Sequence, residues 1–374
     1  MLQKKINLKI LIPVIIFAIV SIITIYSAST YISASMGNLA LKQTLWYIVG
    51  IILVIFIMKM GNNYIYEKAL ILYIIGIISL ICLLLFADPI NSSKCWFIIP
   101  GIGSIQPSEF MKIFLMIYLG VFIDNFRKKY SNPSIKQEFI FILQTLLIVL
   151  IPSVLTFLEP DTGAVIIYLV IYIFMMFISG IRFRWFILAF LILAIGIGSI
   201  LGLYFFKGDL FIKLFGTDLF YRLDRIFAWT SGSGLQLENA LASIGSAGIL
   251  GHGFNNTPLY FPESGTDFIF AVFASNFGFI GSILLIGLIL FFDINLILLL
   301  RKKLANSEKF VLSGIIGMIL FQQIQNIGMT IGLLPITGIT LPFISYGGSS
   351  LLSYMIIIGV ILNISKEKEH KYNY

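Results

Sequence analysis

The sequence predicts an all-α, polytopic membrane protein with ten transmembrane helices in one bundle. Of the 374 residues, 59% are hydrophobic and only 11% are charged, and the mean hydropathy is +1.01. Soluble proteins carry about 25% charged residues, so these charges are too few to cover a water-exposed surface. The apolar residues also form ten runs near the length of about 20 residues that spans a bilayer. This composition disfavours disordered, coiled-coil and nucleic-acid-binding proteins.

Short polar connections separate most of the apolar runs, as expected of one bundle without internal repeats. The predicted spans are residues 10–28, 44–60, 66–86, 109–123, 138–157, 164–181, 183–206, 268–292, 310–334 and 343–363. Lys4 and Lys5 precede the first run, which could therefore be a signal peptide. Nine further spans make a retained helix the simpler interpretation. We expect one membrane domain over residues 1–374.

The distribution of cations predicts that both termini are cytoplasmic. With the amino terminus inside, 18 of the 25 Lys and Arg residues lie on the cytoplasmic side and six lie outside. This bias follows the positive-inside rule, and it places residues 364–374 in a cytoplasmic tail. The net charge of +8 then serves orientation, and nucleic acid is not an expected partner.

One external connection, residues 207–267 between spans seven and eight, is much longer than the others. It alternates apolar and polar stretches, so we expect short helices that lie against the bundle or the membrane surface. Loops of this length are usually functional.

The few polar groups inside the spans limit the chemistry. Acids and bases gather near the span ends, which disfavours an ion-coupled transporter. The two cysteines are expected to be free thiols. Two histidines cannot form a histidine-rich metal site, although carboxylates could still bind a divalent cation, Mg²⁺ or Mn²⁺.

Asp267 follows Glu263 at the end of the long connection and precedes the eighth span. It could be an ordinary acid at a helix start, favoured by the helix dipole. It could also be a carboxylate held at the outer surface on a rigid helix end, where it takes a proton from a hydroxyl. Gly251 and Gly253, shortly before it, allow the backbone to turn tightly.

A second polar cluster lies at the start of the fourth span. Glu109 and Lys112 share a helix face and form either a structural ion pair or a site where Lys112 meets a phosphate. Ser108 is a candidate N-cap, and Trp96 could simply anchor the chain at the interface. Glu159-Pro160-Asp161 has the structural interpretation of a turn. A polar stripe either makes helix-to-helix hydrogen bonds or lines a cavity, and it consists of Gln322, Gln325, Asn326 and Thr330.

The sequence resembles the SEDS (shape, elongation, division and sporulation) family, the group of RodA, FtsW and SpoVE. The most specific segment runs from Asn326 through Gly332-Leu333-Leu334-Pro335 to Leu341-Pro342-Phe343-Ile344-Ser345-Tyr346-Gly347-Gly348. The segments Gln106-Pro107-Ser108-Glu109, Glu159-Pro160-Asp161 and Pro262 to Phe270 follow in the family's order. Ser275 and Asn276 depart from it, because most members have a pair of glutamates at these two positions.

This resemblance implies a glycosyltransferase that polymerises lipid II into peptidoglycan outside the bacterial cytoplasmic membrane, together with a class B penicillin-binding protein. Asp267 matches the family's essential aspartate and is expected to be the catalytic base. The expected substrate-binding residues are Lys94, Trp96, Glu109, Lys112, Asp161, Arg222, Arg225, Glu263 and Ser345, of which the cations would meet the pyrophosphate. The alternatives are a lipid II flippase and a non-catalytic scaffold for the penicillin-binding protein.

Overall fold

The computed structural model describes residues 7–29, 38–88, 94–99, 103–217, 219–221, 234–302 and 304–366. These ranges contain thirteen helices and one hairpin of two short strands. In chain order the elements are α1 (Leu8–Ser29), α2 (Leu39–Met60), α3 (Asn62–Glu67), α4 (Ala69–Phe86), β1 (Phe97–Ile99), β2 (Gly103–Ile105), α5 (Pro107–Lys129), α6 (Ile135–Leu158), α7 (Thr162–Ile178), α8 (Arg184–Phe206), α9 (Gly208–Phe215), α10 (Leu235–Ser246), α11 (Ile269–Leu300), α12 (Asn306–Thr330) and α13 (Gly348–Ser365).

Eight of the described helices are long and apolar enough to cross a membrane: α1, α2, α4, α6, α8, α11, α12 and α13. Two further helices match predicted spans. Of these, α7 is only 17 residues long, and α5 carries charged residues at both ends. The predominantly helical, multi-pass membrane architecture is confirmed, whereas the count of ten spans and the location of the termini stay predictions.

The core of the bundle lies along α5, α7, α12 and α13. In the most apolar stretches of α12 and α13, 78% of the residues are buried. By contrast, α8 has no buried residue. It contacts α9, where the Tyr204 and Phe211 ring centroids are 5.9 Å apart. The interior helices are therefore the ones that can hold polar groups away from lipid.

The long connection contains the short helices that its sequence predicts, since α9 and α10 both lie within residues 207–267. The hairpin of β1 and β2 was not predicted. It pairs Phe97 with Ile105 and Ile99 with Gly103 in an antiparallel register. These strands are only three residues long, too short for a periodic sequence signal.

Helix α11 is broken at Gly278, whose φ and ψ are 63° and −161°. Its 32 residues would extend about 48 Å as one helix, well beyond the hydrocarbon core of about 30 Å. All residues before the break, from Ile269 to Asn276, are buried in protein, whereas Phe279 and Ile280 after it are exposed. Residues 269–276 of α11 are therefore enclosed by protein, and its exposed apolar surface begins near residue 279, inside the predicted span 268–292.

One carboxylate of α11, Asp293, is buried in the bundle. The Asp293 side chain is 5% exposed, and its Oδ1 accepts a hydrogen bond from Gln323 Nε2 at 3.2 Å. Seven residues separate it from the end of α11, or about 10 Å. Asp293 thus lies in the last quarter of α11, consistent with the prediction that acids gather near the span ends.

The backbone around the break in α11 is bound by residues 248–253. His252 N and Gly253 N donate to the carbonyls of Ser275 and Asn276 at 2.9 and 3.1 Å, and Phe279 N donates to Gly248 O at 3.0 Å. Asn276 also donates to Ser27 Oγ of α1 at 2.6 Å. Residues 248–253 thus provide hydrogen-bond partners for the backbone N–H and carbonyl groups that lose their helical partners at the break.

Gly251→Ala is expected to destabilise the protein strongly. Gly251 has a φ of +83°, and a Cβ atom there would lie 2.3 Å from the carbonyl oxygen of Asn276. Backbone strain and overpacking together should lower the free energy of unfolding by about 3 kcal/mol. Gly253→Ala is the matched control, because Gly253 has a φ of +95° but nothing within 4 Å of its Cβ position. Equal thermal unfolding temperatures for the two variants in detergent would contradict the close contact.

Candidate active site

The turn that carries Asp267 is fixed through three consecutive carbonyl groups. The backbone N–H of Tyr346 donates to Gly265 O at 2.9 Å, and Ser345 Oγ donates to Thr266 O at 2.6 Å. Asn326 Nδ2 donates to Asp267 O at 2.8 Å. The most specific sequence segment of the chain therefore positions the backbone on which Asp267 is mounted.

The Asp267 carboxylate itself accepts no hydrogen bond within the described ranges. A Cβ atom at Gly338 would lie 3.6 Å from Asp267 Oδ2, so the carboxylate faces the backbone of the segment 337–339. The residue before α11 is Phe268, and this helix has no side-chain cap. Asp267 therefore does not cap the helix, and its interpretation as an acid favoured by the helix dipole stays an alternative to the catalytic one.

Burial, together with the negative charge of Glu263, raises the pKa of Asp267 to about 7. A carboxyl group with a pKa near the working pH is well suited to accept a proton in a reaction. Aspartate at its ordinary pKa of about 3.9 would be a weaker base. The position of Asp267 thus favours general base chemistry.

Glu263 lies on the exposed side of the same turn. Its φ is +54°, and its Oε2 accepts a hydrogen bond from Thr266 Oγ1 at 2.6 Å. Its backbone carbonyl also accepts from Phe268 N at 3.0 Å. Glu263 therefore shapes the turn and contributes a charge beside Asp267.

Glu109 and Lys112 form the predicted ion pair inside the bundle. Lys112 Nζ lies 2.6 Å from Glu109 Oε2, and the two side chains are 1% and 12% exposed. Ser353 Oγ of α13 donates to the same Glu109 oxygen at 3.3 Å, and Lys112 Nζ lies 5.6 Å from the centroid of the Tyr354 ring. The phosphate contact of Lys112 stays a prediction.

Asp161 joins the starts of α5 and α7. Its Oδ2 accepts hydrogen bonds from Gln106 Nε2 at 2.8 Å and from Ser108 Oγ at 3.0 Å, and its Oδ1 accepts from Ala164 N at 3.0 Å. Asp161 is therefore the N-cap of α7. The prediction that Ser108 caps α5 is wrong, since Gln106 takes that position and the Ser108 hydroxyl is bound to Asp161.

The segment 337–339 connects this region with Asp267. A Cβ atom at Gly163 would lie 3.3 Å from Thr337 O and from a side-chain carbon of Ile339, and Gly338 lies against Asp267 Oδ2. The hydroxyl of Thr337 is buried without a hydrogen-bond partner. The start of α7 and Asp267 thus both lie against the extended segment 337–339.

Glu159 is an acid whose burial the sequence did not reveal. The side chain is 0% exposed, and neither carboxylate oxygen has a hydrogen-bond partner. Burial, together with the charge of Asp161, raises the pKa of Glu159 to about 8. A turn acid would ordinarily be solvated, so only the fold distinguishes Glu159 from turn chemistry.

Lys94 and Trp96, two of the predicted substrate-binding residues, lie beside the turn that contains Glu159. Lys94 Nζ donates to Leu84 O at 3.2 Å, and Trp96 is half-buried. Between them, Cys95 Sγ donates to Glu159 O at 2.9 Å, and both cysteines are free as predicted. Arg222 and Arg225 fall outside the described residues. The contacts of all four side chains with a substrate stay predictions.

The polar residues of α12 make mainly structural contacts. Gln325 Nε2 donates to Pro335 O at 2.8 Å, and Asn326 Nδ2 donates to Ile339 O at 2.8 Å as well as to Asp267 O. Ser345 is similar, because its Oγ also accepts from Leu341 N at 2.8 Å. These groups position Asp267 and the segment 337–339, and the substrate contact of Ser345 stays a prediction.

Comparison with known protein sequences finds a matching family model and similar curated proteins. The model of the FtsW, RodA and SpoVE family, described as cell cycle proteins, matches residues 7–370. A probable peptidoglycan glycosyltransferase FtsW from Coxiella burnetii is 35% identical over 80% of this chain and 78% of its own length. Stage V sporulation protein E from Bacillus subtilis is 32% identical over 98% of this chain and 99% of its own length.

Solved structures have the same fold. A chain from a study of polymerization and crosslinking by a peptidoglycan synthase complex aligns with a TM-score of 0.78 at 22% identity, covering 96% of this chain and 97% of that one. The crystal structure of the rod shape determining protein RodA from Thermus thermophilus aligns with a TM-score of 0.69 at 23% identity, covering 96% of both chains.

Proposed function

The chain belongs to the FtsW, RodA and SpoVE family of cell cycle proteins, and on this premise we propose that it is a peptidoglycan glycosyltransferase. It polymerises lipid II into glycan strands at the outer face of the bacterial cytoplasmic membrane. The observation that carries this proposal is the Asp267 carboxylate, which has a pKa raised to about 7 on a turn fixed by three backbone contacts. Relatives named as probable peptidoglycan glycosyltransferases support it.

In the proposed reaction, a sugar hydroxyl of the acceptor attacks the anomeric carbon of the donor. Asp267 takes the hydroxyl proton while the new glycosidic bond forms. The bond between the anomeric carbon and the undecaprenyl pyrophosphate oxygen breaks, and the pyrophosphate leaves with the electron pair. Inversion needs no covalent intermediate, so one carboxylate base suffices.

The cations of the site have the complementary task of stabilising the leaving group. Lys112, which is buried beside Glu109 and Tyr354, is proposed as one of them, because electrostatic interactions are strong where water is excluded. Lys94, Arg222 and Arg225 complete the proposed set that meets the pyrophosphate. The other proposed substrate contacts are made by Trp96, Glu109, Asp161, Glu263 and Ser345.

A divalent cation, Mg²⁺ or Mn²⁺, is compatible with this chemistry. No cluster of three or more histidine, cysteine, aspartate or glutamate side chains occurs in the part of the chain that the structure describes.

The proposed assembly includes a class B penicillin-binding protein, the transpeptidase that crosslinks the strands. The fold similarity to a chain from a peptidoglycan synthase complex supports such a partner. We also propose ten spans with both termini in the cytoplasm, because the cation bias then places Asp267 on the outer side. Lipid II would reach the site from the surrounding bilayer.

The test is a polymerisation assay with the purified full-length chain, labelled lipid II and its penicillin-binding partner, whose transpeptidase is blocked by penicillin. Glycan strands should appear on gels. If no strands form but labelled lipid II crosses the bilayer of vesicles that contain this chain, the flippase alternative is correct. If equal amounts of glycan form when this chain is omitted, the partner is the polymerase and this chain is a non-catalytic scaffold.

Glu263→Gln is expected to shift the pH dependence of polymerisation. Asp267 acts as a base only when ionised, so the rate should fall as the pH drops below about 7. Removing the Glu263 charge lowers the pKa of Asp267, because that charge disfavours ionisation. The acid limb of the profile should then move to lower pH. Glu238→Gln, an exposed acid on α10, is the control, and an unchanged limb in Glu263→Gln would contradict the coupling.

A further inference from the structure

A groove of about 390 Å³ lies between α5 and α6, at the end of α5 opposite Glu109 and Lys112. Its volume is within the range of about 300–1,000 Å³ typical of ligand sites. Its polar lining includes Asn125 and Lys129 of α5 and Gln137 and Gln144 of α6. The sequence predicts that this end of the bundle is cytoplasmic.

Aromatic rings form the apolar wall of the groove. The Phe126 and Phe141 rings are stacked with centroids 4.0 Å apart, and Phe122 stacks on Phe141 at 6.2 Å. Ile140, which also lines the groove, is 44% exposed, so the wall continues onto the outer surface of the bundle. Such a wall suits an acyl chain.

Charge at the mouth of the groove favours an anion. Lys128 is paired with Asp124 at 2.9 Å, and Arg182 and Arg184 lie 3.8 and 3.9 Å from Glu138. Lys129 is exposed and has no carboxylate partner among the described residues. Its Nζ instead lies 5.4 Å from the centroid of the Tyr130 ring. The groove therefore presents an uncompensated cation at its rim.

Gln144 places a polar group deeper in the groove. It lies seven residues beyond Gln137 on α6, which is about 10 Å along the helix. Its side chain is exposed and makes no hydrogen bond with the described residues. An amide facing lipid is costly unless it is hydrogen-bonded, and the ester carbonyl of a phospholipid can supply the acceptor.

We propose that this groove is a binding site for one anionic phospholipid of the cytoplasmic leaflet. The phosphate lies at Lys129, with Asn125 and Gln137 beside the headgroup. The glycerol ester accepts a hydrogen bond from Gln144, and an acyl chain follows the wall of Phe122, Phe141 and Ile140. The groove reaches only about 10 Å along the helices, which is too short for a partner's spanning helix of about 20 residues.

The test is native mass spectrometry of the delipidated full-length chain in detergent, titrated with phosphatidylglycerol. Lys129→Ala should weaken binding of the tightest phosphatidylglycerol about fivefold, the effect of about one cation near an anionic lipid. Gln144→Leu should weaken it about twofold, and phosphatidylcholine should bind the unmodified chain about fivefold less tightly than phosphatidylglycerol.

The matched control is Lys136→Ala, which removes an exposed cation near the same end of α6 but outside the groove lining. Its phosphatidylglycerol affinity should be unchanged. Equal weakening by Lys129→Ala and Lys136→Ala would overturn the proposal in favour of diffuse surface attraction. Equal binding of phosphatidylcholine and phosphatidylglycerol, or an unchanged affinity in Lys129→Ala, would also overturn it.

Discussion

Lys112→Met should lower the free energy of unfolding by about 3–5 kcal/mol, the cost of leaving one charge of a buried pair without its partner. Lys112 Nζ lies 2.6 Å from Glu109 Oε2, and the lysine side chain is only 1% exposed. Without the ammonium, the Glu109 carboxylate would keep one hydrogen bond, from Ser353. Thermal and denaturant unfolding of the purified variant in detergent measure the loss.

Two further variants make this experiment specific. Lys129→Met removes an exposed lysine of the same helix that has no carboxylate partner among the described residues, and it should cost less than about 1 kcal/mol. Adding Glu109→Gln to Lys112→Met removes both buried charges and should restore most of the stability. If Lys112→Met and Lys129→Met were equally stable, the Glu109–Lys112 pair would not be buried as described.

The general architecture could be predicted because hydropathy is a local property. Apolar runs predict where α1, α2, α4, α6 and α12 lie, and the structure places helices there. The break in α11 was not visible in the apolar pattern, because the residues on both sides of Gly278 are hydrophobic. Only the structure, with the backbone contacts of residues 248–253, reveals the break.

The site shows the same division between local and long-range information. The spacing of Glu109 and Lys112 on one helix turn predicts their contact, and the contact is present. The contacts of Asp161 with Ser108 and Gln106 cross more than 50 residues of sequence, so no spacing rule could predict them. The buried state of Glu159 also depends on distant segments, among them the one that holds Cys95.

Asp267→Asn should lower the rate of glycan polymerisation by about 10²–10⁴-fold, the typical contribution of a general base. An amide has nearly the same shape as a carboxylate but cannot accept the proton at neutral pH. The three contacts that fix the turn involve only backbone carbonyls, so they remain in the variant. Because burial disfavours the ionised carboxylate, the amide should also leave the stability unchanged or slightly raised.

The most direct measurement is therefore the polymerisation rate of Asp267→Asn, reconstituted with the penicillin-binding partner and labelled lipid II, beside the unmodified chain. Asp209→Asn, an acid in α9 of the same long connection, is the matched control and should polymerise at the normal rate. Our account predicts a variant that folds, binds its partner and makes almost no glycan. A folded Asp267→Asn variant that makes glycan at the normal rate would show that Asp267 is not the catalytic base.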